Sequence, residues 1–267
     1  MAQAAIYDFS GRHAIVTGGA AGIGEAIVAR LLGAGARVSI WDRDLAALES
    51  AQSRLGTQVQ AVQVDVSDER SVANAVNVSQ AWGTRIDILV NSAGITGPNT
   101  TVIDYPVEEW DRVFAINMRG TFLTCKYVAA VMRQASGGEG YGRIVNIIST
   151  SVKQPLPNLG VSNTTRWAVA GWAKTMANEL GEFGITVNNV LPGATETERL
   201  HSLVKARSEK MNLPVETIRE EMLKEIPMKR FGKAEEVANA VAFLASPAAA
   251  YINGINVPVD GGRTGSL

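Results

Sequence analysis

The sequence predicts an α/β fold: a single doubly wound domain, with a seven-stranded, mainly parallel sheet and helices on both of its faces. Three observations predict it. Short β-branched runs alternate with longer helical patterns along the chain. The strand-like runs are nearly continuous in apolar residues, as strands covered on both faces require. The first strand also passes into the first helix through a glycine-rich turn. Such alternation implies right-handed crossovers, which wind helices onto both sides of one sheet.

The elements follow in order. "HAIVTG" (13–18) reads as the first strand and "GIGEAIVARLLGAG" as the first helix. "RVSIWD" (37–42) is a second strand, followed by the helical "LAALESAQSRL". "VQAVQVDV" (59–66) and "RSVANAVNVSQAW" make the third pair, and "IDILVNSAG" (86–94) is a fourth strand. A long helical stretch, 107–134, leads through the glycine-rich "QASGGEGYG" (134–142), which reads as a surface loop, to "GRIVNIIST" (142–150), the fifth strand. A helix over 163–180, a sixth strand "ITVNNVLPG" (185–193) and a seventh, "INVPVD" (255–260), complete the sheet. The charged zone 195–230 follows the sixth strand. Ligands bind at the carboxyl ends of strands in such sheets, so this zone is placed to act as a helical lid; a solvated helical pair is the plainer reading.

Composition excludes several classes. Of 267 residues, 46% are hydrophobic and 19% charged, enough to bury one large core. Lys and Arg total 25 against 26 Asp and Glu, which argues against a nucleic-acid partner. There is no apolar run of about 18 residues for a membrane span, and the opening "MAQAAIYDFS" does not resemble a signal peptide. A cytoplasmic protein is expected. The lone Cys125 lies in an apolar helical pattern and reads as a buried small residue. His13 and His201 are far apart, so no metal site is expected.

The chemistry begins at "TGGAAGIG" (17–24). Gly18, Gly22 and Gly24 permit a tight turn and close approach of a pyrophosphate, while the N–H groups of the new helix, Ile23 among them, face its charge. At a first βα turn this is a strong sign of a Rossmann-type dinucleotide site. Asp42 ends the second strand about 20 residues on, where a carboxylate can accept hydrogen bonds from ribose hydroxyls and repel a 2′-phosphate. NAD is therefore expected over NADP, although Arg43 beside it could pair with that phosphate.

With these residues the chain resembles the short-chain dehydrogenase/reductase family over nearly its whole length. The shared motifs are "TGGAAGIG", "VDVSD", "NSAG" (91–94), Asn117 in "FAINMRG", "GRIVNIIS" ending in Ser149, "GITVNNVLPG" and "PVDGG". The resemblance implies that Asp65 and Val66 flank adenine, and that Asn91, Ala93 and Gly94 support the cofactor. It implies that Pro192, Gly193 and Thr195 line the nicotinamide side. It assigns Asn117 a water in a proton relay and Ser149 a hydrogen bond to the substrate oxygen. It also implies a homotetramer built on the helices at 107–134 and 163–180 and on C-terminal strands.

The pattern breaks at one place. The family's catalytic tyrosine and lysine fall, counting from Ser149, on Ser162 and Arg166 in "SNTTRWAVAG" (162–171). Positions i and i+4 share a helix face, so both can still point at the site. Arg166 keeps a cation that can grip ribose hydroxyls. Ser162 cannot replace a phenol as acid, because an alkyl hydroxyl titrates far outside the useful range; it could instead be a helix N-cap. Lys153, four residues past Ser149, and His201, in the lid zone, are alternative donors, whereas Tyr141 precedes the fifth strand and so sits at the wrong end. "SVKQP" and "SNTTR" resemble a subgroup labelled ketoacyl-carrier-protein reductases. The expectation is an NAD-dependent oxidoreductase on a small or medium carbonyl or alcohol, ketoacyl- or sugar-type. A dinucleotide-binding sensor or scaffold without turnover, and a lyase, dehydratase or hydrolase on the same scaffold, are the rivals.

Overall fold

Five consecutive buried residues make β1 (His13–Thr17), and such runs recur through the sheet of this computed structural model, which describes residues 7–83, 85–135 and 141–265. Most of the glycine-rich loop expected at 134–142 lies outside the described residues, as do residues 1–6. The seven strands run in the order β3 (Val59–Gln63), β2 (Arg37–Asp42), β1, β4 (Ile88–Asn91), β5 (Gly142–Ile147), β6 (Ile185–Pro192) and β9 (Asn256–Val259). All six pairings are parallel. The order reverses between β1 and β4, so a crevice opens where the strands on either side lead away in opposite directions.

Two apolar layers cover the sheet. On one face α1 (Gly22–Leu32) and α9 (Ala234–Ala245) pack together over Val16, Ile40, Val90 and Val145. On the other, α3 (Glu69–Trp82), α5 (Gly120–Ala135) and α6 (Gly160–Leu180) cover Ile15, Leu89, Ile144 and Val187. Helices α2 (Leu45–Leu55) and α3 begin at Asp44 and Asp68, whose carboxylates accept from the N–H groups of Ala47 and Ser71. The helix α9 is not among the elements read from the sequence. Glu236 accepts from Lys233 N at its start, and Val237, Ala238, Val241, Ala242 and Ala245 form the buried stripe.

The helical stretch at 107–134 is not one helix. It divides into α4 (Val107–Phe114), a π-helical turn (Ala115–Arg119) and α5. A π turn inserts one extra residue into the ladder and often marks a functional site; here it carries Asn117. The zone after β6 holds a short parallel ribbon, β7 (Thr195–Glu196) with β8 (Gly232–Lys233), and two helices, α7 (Glu198–Met211) and α8 (Val215–Lys224). Leu200, Val204, Ile218, Ile226 and Phe231 give this pair its own apolar cluster. No described helix is long and apolar enough to cross a membrane, and no described cluster could hold a metal ion.

One feature of the sheet was not expected. Asn91, Asn146, Asn189 and Asn256 occupy matched positions on β4, β5, β6 and β9. Asn91 donates to Asn146 (2.9 Å), Asn146 to Asn189 (2.9 Å) and Asn189 to Asn256 (2.8 Å). A buried amide without a partner is costly, so slipping any strand by one residue would break the chain of bonds. The ladder fixes the register of the half of the sheet that ends at the crevice.

Candidate active site

Thr17 ends β1, and its hydroxyl accepts from the N–H groups of Ser92 and Ala93, both at 3.1 Å. That draws the glycine turn against the end of β4. Gly18 has φ +61°, and a Cβ there would stand 2.9 Å from Ala93 Cα. A Cβ on Gly24 would be 2.0 Å from Gly18 O, so no other residue fits without moving backbone. The cap position of α1 is Ala21, which has no side chain to accept from the first turn. The uncapped N–H groups there, those of Gly22, Ile23 and Gly24, and the helix dipole are open to an anion.

Asp42 lies one residue past Trp41, the partner of Thr17, and so stands beside the turn. It is half-buried, and its Oδ1 accepts from Asp44 N at 3.2 Å. Arg43 is exposed. Asp65, past the end of β3, accepts from Ser67 N and Oγ at 2.9 and 2.6 Å, and its neighbour Val66 is buried against Gly120. This edge can receive a dinucleotide: a cradle that side chains would fill, an uncapped helix start and a carboxylate on the next strand.

Two expected site residues are used internally. Asn91 donates to Asn146 and to Cys125 Sγ and accepts from Thr124 Oγ1 at 2.7 Å, so its side chain braces β4 and is not left for a cofactor. Burial pushes the Cys125 thiol up to about 12, consistent with a structural residue. Asn117 accepts from Ile95 N and donates to Ile95 O, both at 2.8 Å, and donates to Thr165 Oγ1 at 3.2 Å. Both of its amide protons are thus committed, and it clamps the π turn to the β4 exit and to α6.

Ser149 sits two residues beyond β5, half-buried, and its Oγ accepts from Ser151 N at 3.1 Å. That leaves its own proton to donate. The short 3₁₀ turn Thr150–Val152 that it starts packs on α6 and ends at Lys153, half-buried and in no ion pair among the described residues. Arg166 is buried at 7% exposure, and its Nη1 donates to Ile147 O at 3.1 Å. Burial, and to a lesser extent Arg199, hold its guanidinium down at about 10, so it stays a cation at neutral pH. Its Nη2 lies 2.7 Å from where a Cβ on Gly94 would be.

Ser162 is not an N-cap. The helix starts three residues before 163, at Gly160, because Asn158 turns the chain with φ 60° and Asn163 holds Leu156 O at 2.8 Å. Ser162 is therefore the third helical residue, 8% exposed, on the same face as Arg166. Gly193 packs against Asp260, where a Cβ would meet Asp260 Cβ at 2.7 Å; beside it, Pro192 and Thr195 are buried. Of the other expected donors, His201 is exposed on α7, 3.9 Å from Glu198. Tyr141 lies at the opposite end of the sheet, bonded to Ala245 O, and His13 lies at the same end against Ser39. Arg199 was not expected at all: from the first turn of α7 its Nη2 donates to Gly94 O at 2.6 Å. An open cleft of ≈ 520 Å³ lies between Gln154–Pro157, Glu225 and Arg263, and none of the expected site residues lines it.

The arrangement matches known proteins along its length. A family model described as enoyl-(acyl carrier protein) reductase matches residues 18–264. A 2-dehydro-3-deoxy-L-rhamnonate dehydrogenase (NAD(+)) from Sphingomonas sp. is 35% identical, with 96% of each chain covered. The crystal structure of a levodione reductase superposes with a TM-score of 0.91 at 32% identity, covering 97% of this chain and all of that one. A 3-ketoacyl-(acyl-carrier-protein) reductase from Brucella melitensis, crystallised with NADH, gives 0.86 at 33% identity, covering 96% and 100%. On matches of this length and likeness, the chain belongs to the short-chain dehydrogenase/reductase family.

Proposed function

We propose that this chain is an NAD-dependent oxidoreductase for a small or medium carbonyl or alcohol, ketoacyl- or sugar-type, working without the tyrosine–lysine pair of its family. One observation carries the reading. The glycine turn, Asp42 and Ser149 all lie at the carboxyl ends of their strands, and Arg166 is bonded to Ile147 O at that same end of β5. When bound, the nicotinamide supplies or takes up hydride at the substrate carbon. The first turn of α1 holds the pyrophosphate, and Asp42 holds the adenosine ribose, with Asp65 and Val66 beyond it and Gly94, Gly193 and Thr195 toward the nicotinamide.

Ser149 donates to the substrate oxygen and fixes its position. Arg166 orients the nicotinamide ribose and stabilises negative charge developing nearby. Ser162 is too weak an acid to protonate that oxygen. Lys153 is the better proton source, because it ends the turn that Ser149 begins and has no ion-pair partner among the described residues. Asn117 holds a water only through the remaining lone pair of Oδ1, so its main part is to position the π turn. The residues at 195–230 act as a lid within a single dinucleotide-binding domain; their separate apolar cluster lets them move as a body.

The family's tetrameric assembly fits an exposed aromatic surface on α4–α6, where Trp110 stacks on Phe114, Phe122 meets Trp172 and Trp167 is half exposed. Sedimentation velocity tests the assembly. A dinucleotide-binding sensor without turnover is the second reading, favoured by the hydroxyl at Ser162. A panel of ketones, ketoacyl thioesters and sugar lactones, followed at the NADH absorbance, separates the two. Turnover of at least one substrate supports the oxidoreductase, and tight NADH binding with no turnover supports the sensor.

A further inference from the structure

Arg166 presents a problem of charge, and Arg199, on the exposed side of Gly94, shares its setting. Arg166 is more than nine-tenths buried, and neither guanidinium takes part in an ion pair among the described residues. Their hydrogen-bond partners are neutral carbonyls, Ile147 O for one and Gly94 O for the other. A buried cation is costly unless an opposite charge faces it. Here the nearest charge is another cation, and both reach a single residue. Nη2 of Arg199 is 2.6 Å from Gly94 O, and Nη2 of Arg166 is 2.7 Å from the site of a Cβ on Gly94. Burial and this mutual repulsion both depress the affinity of Arg166 for its proton.

Two planar forks over one backbone edge have the geometry that recognises an oxyanion. Thr197, two residues before Arg199, lies 3.8 Å from a Cβ position on Gly22, so the entry to α7 runs from the glycine turn to the end of β4. We infer that Arg166 and Arg199 form an oxyanion clamp astride Gly94, closed by the first turn of α7, and that an anionic ligand replaces Gly94 O as the partner of Arg199. The oxyanion is either a phosphate of the dinucleotide or a carboxylate of the substrate. In the second case the enzyme takes acidic carbonyl compounds. The inference rests on the cofactor cleft proposed above.

The test uses the full chain and the variants Arg199→Gln and Arg199→Lys. Arg199 is exposed, so its replacement leaves the core intact, which circular dichroism checks. NADH is titrated by fluorescence, and oxalate by calorimetry with and without saturating NADH. If the clamp holds a cofactor phosphate, NADH binds about tenfold more weakly to Arg199→Gln, and lysine restores part of the loss. If it holds a substrate carboxylate, oxalate binds the wild type and is weakened about tenfold in Arg199→Gln, with NADH affinity unchanged. Equal binding of both probes by folded wild type and Arg199→Gln, or absence of oxalate binding with NADH binding independent of Arg199, overturns the clamp and leaves the cofactor reading standing. Failure of NADH to bind the wild type overturns the cofactor reading instead, while oxalate alone still reads the clamp.

Discussion

Arg166 donates from Nη1 to the carbonyl oxygen of Ile147 at 3.1 Å, joining the buried face of α6 to the end of β5 two residues before Ser149. The bond holds a buried cation at the end of β5, the strand that leads to Ser149. It also explains how the helix keeps its register on the site although Ser162 makes no side-chain hydrogen bond among the described residues.

Placing a tyrosine and a lysine at positions 162 and 166 tests the proposed proton chemistry. The double variant Ser162→Tyr with Arg166→Lys gains a phenol whose acidity a neighbouring ammonium can raise. Ketone reduction should rise by roughly tenfold or more, since a positioned acid contributes about 10²–10⁴. Steady-state kcat on the best substrate of the panel measures it. No gain, with NADH still bound, would show that the substrate oxygen lies elsewhere.

Ser149→Ala removes the hydroxyl proposed to meet the substrate oxygen, and with it the acceptor for Ser151 N. We expect kcat to fall by about 10²–10³, with a stability loss of about 1 kcal/mol from the lost cap. Lys153→Met should lower kcat while NADH affinity is kept. Unchanged kcat in Lys153→Met would assign the proton to another group.

Glycine substitutions separate turn from helix. Gly24→Ala places a methyl 2.0 Å from Gly18 O, so the turn must open, and both Tm and NADH affinity should drop sharply. Gly171→Ala, inside α6 with nothing within 4 Å of the new Cβ, should instead stabilise by about 0.5–1 kcal/mol. Differential scanning calorimetry on the two variants reads both signs.

His13 gives a pH signature away from the site. It is buried at the amino end of β1, and burial first, then Arg37, bring its pKa down to about 4 from 6.5. The unfolded chain therefore binds this proton more readily than the folded one. The contribution of His13 is full above pH 6.5 and is lost progressively as pH falls toward 4, by up to roughly 3 kcal/mol. Urea unfolding at pH 7 and pH 4.5 should show a smaller difference in His13→Gln than in the wild type. Equal differences would contradict the assignment.

The sequence made the sheet legible because each strand is a local apolar run and each crossover a local helical pattern. The glycine turn and Asp42 were legible for the same reason: their spacing follows from one βα unit. What it hid depends on contacts distant in the chain. Arg199 meets Gly94 across 105 residues, and no periodicity marks that pair. The roles of Asn91 and Asn117 depend on partners on other strands and helices, so a motif could name the residues without showing that their amides are already committed. The split of 107–134 by a π turn was hidden because its apolar spacing is nearly that of an α-helix. The start of α6 shifted because Asn158 and Asn163, not Ser162, set it.

Fluorescence titration of NADH into the purified chain asks whether the crevice between the glycine turn, Asp42 and Arg166 holds a dinucleotide. Saturable binding is expected, abolished by Gly24→Ala and weakened about tenfold by Asp42→Ala, which should also improve relative affinity for NADPH. A chain that stays folded and shows no binding of either dinucleotide at saturating concentration would contradict the cofactor reading.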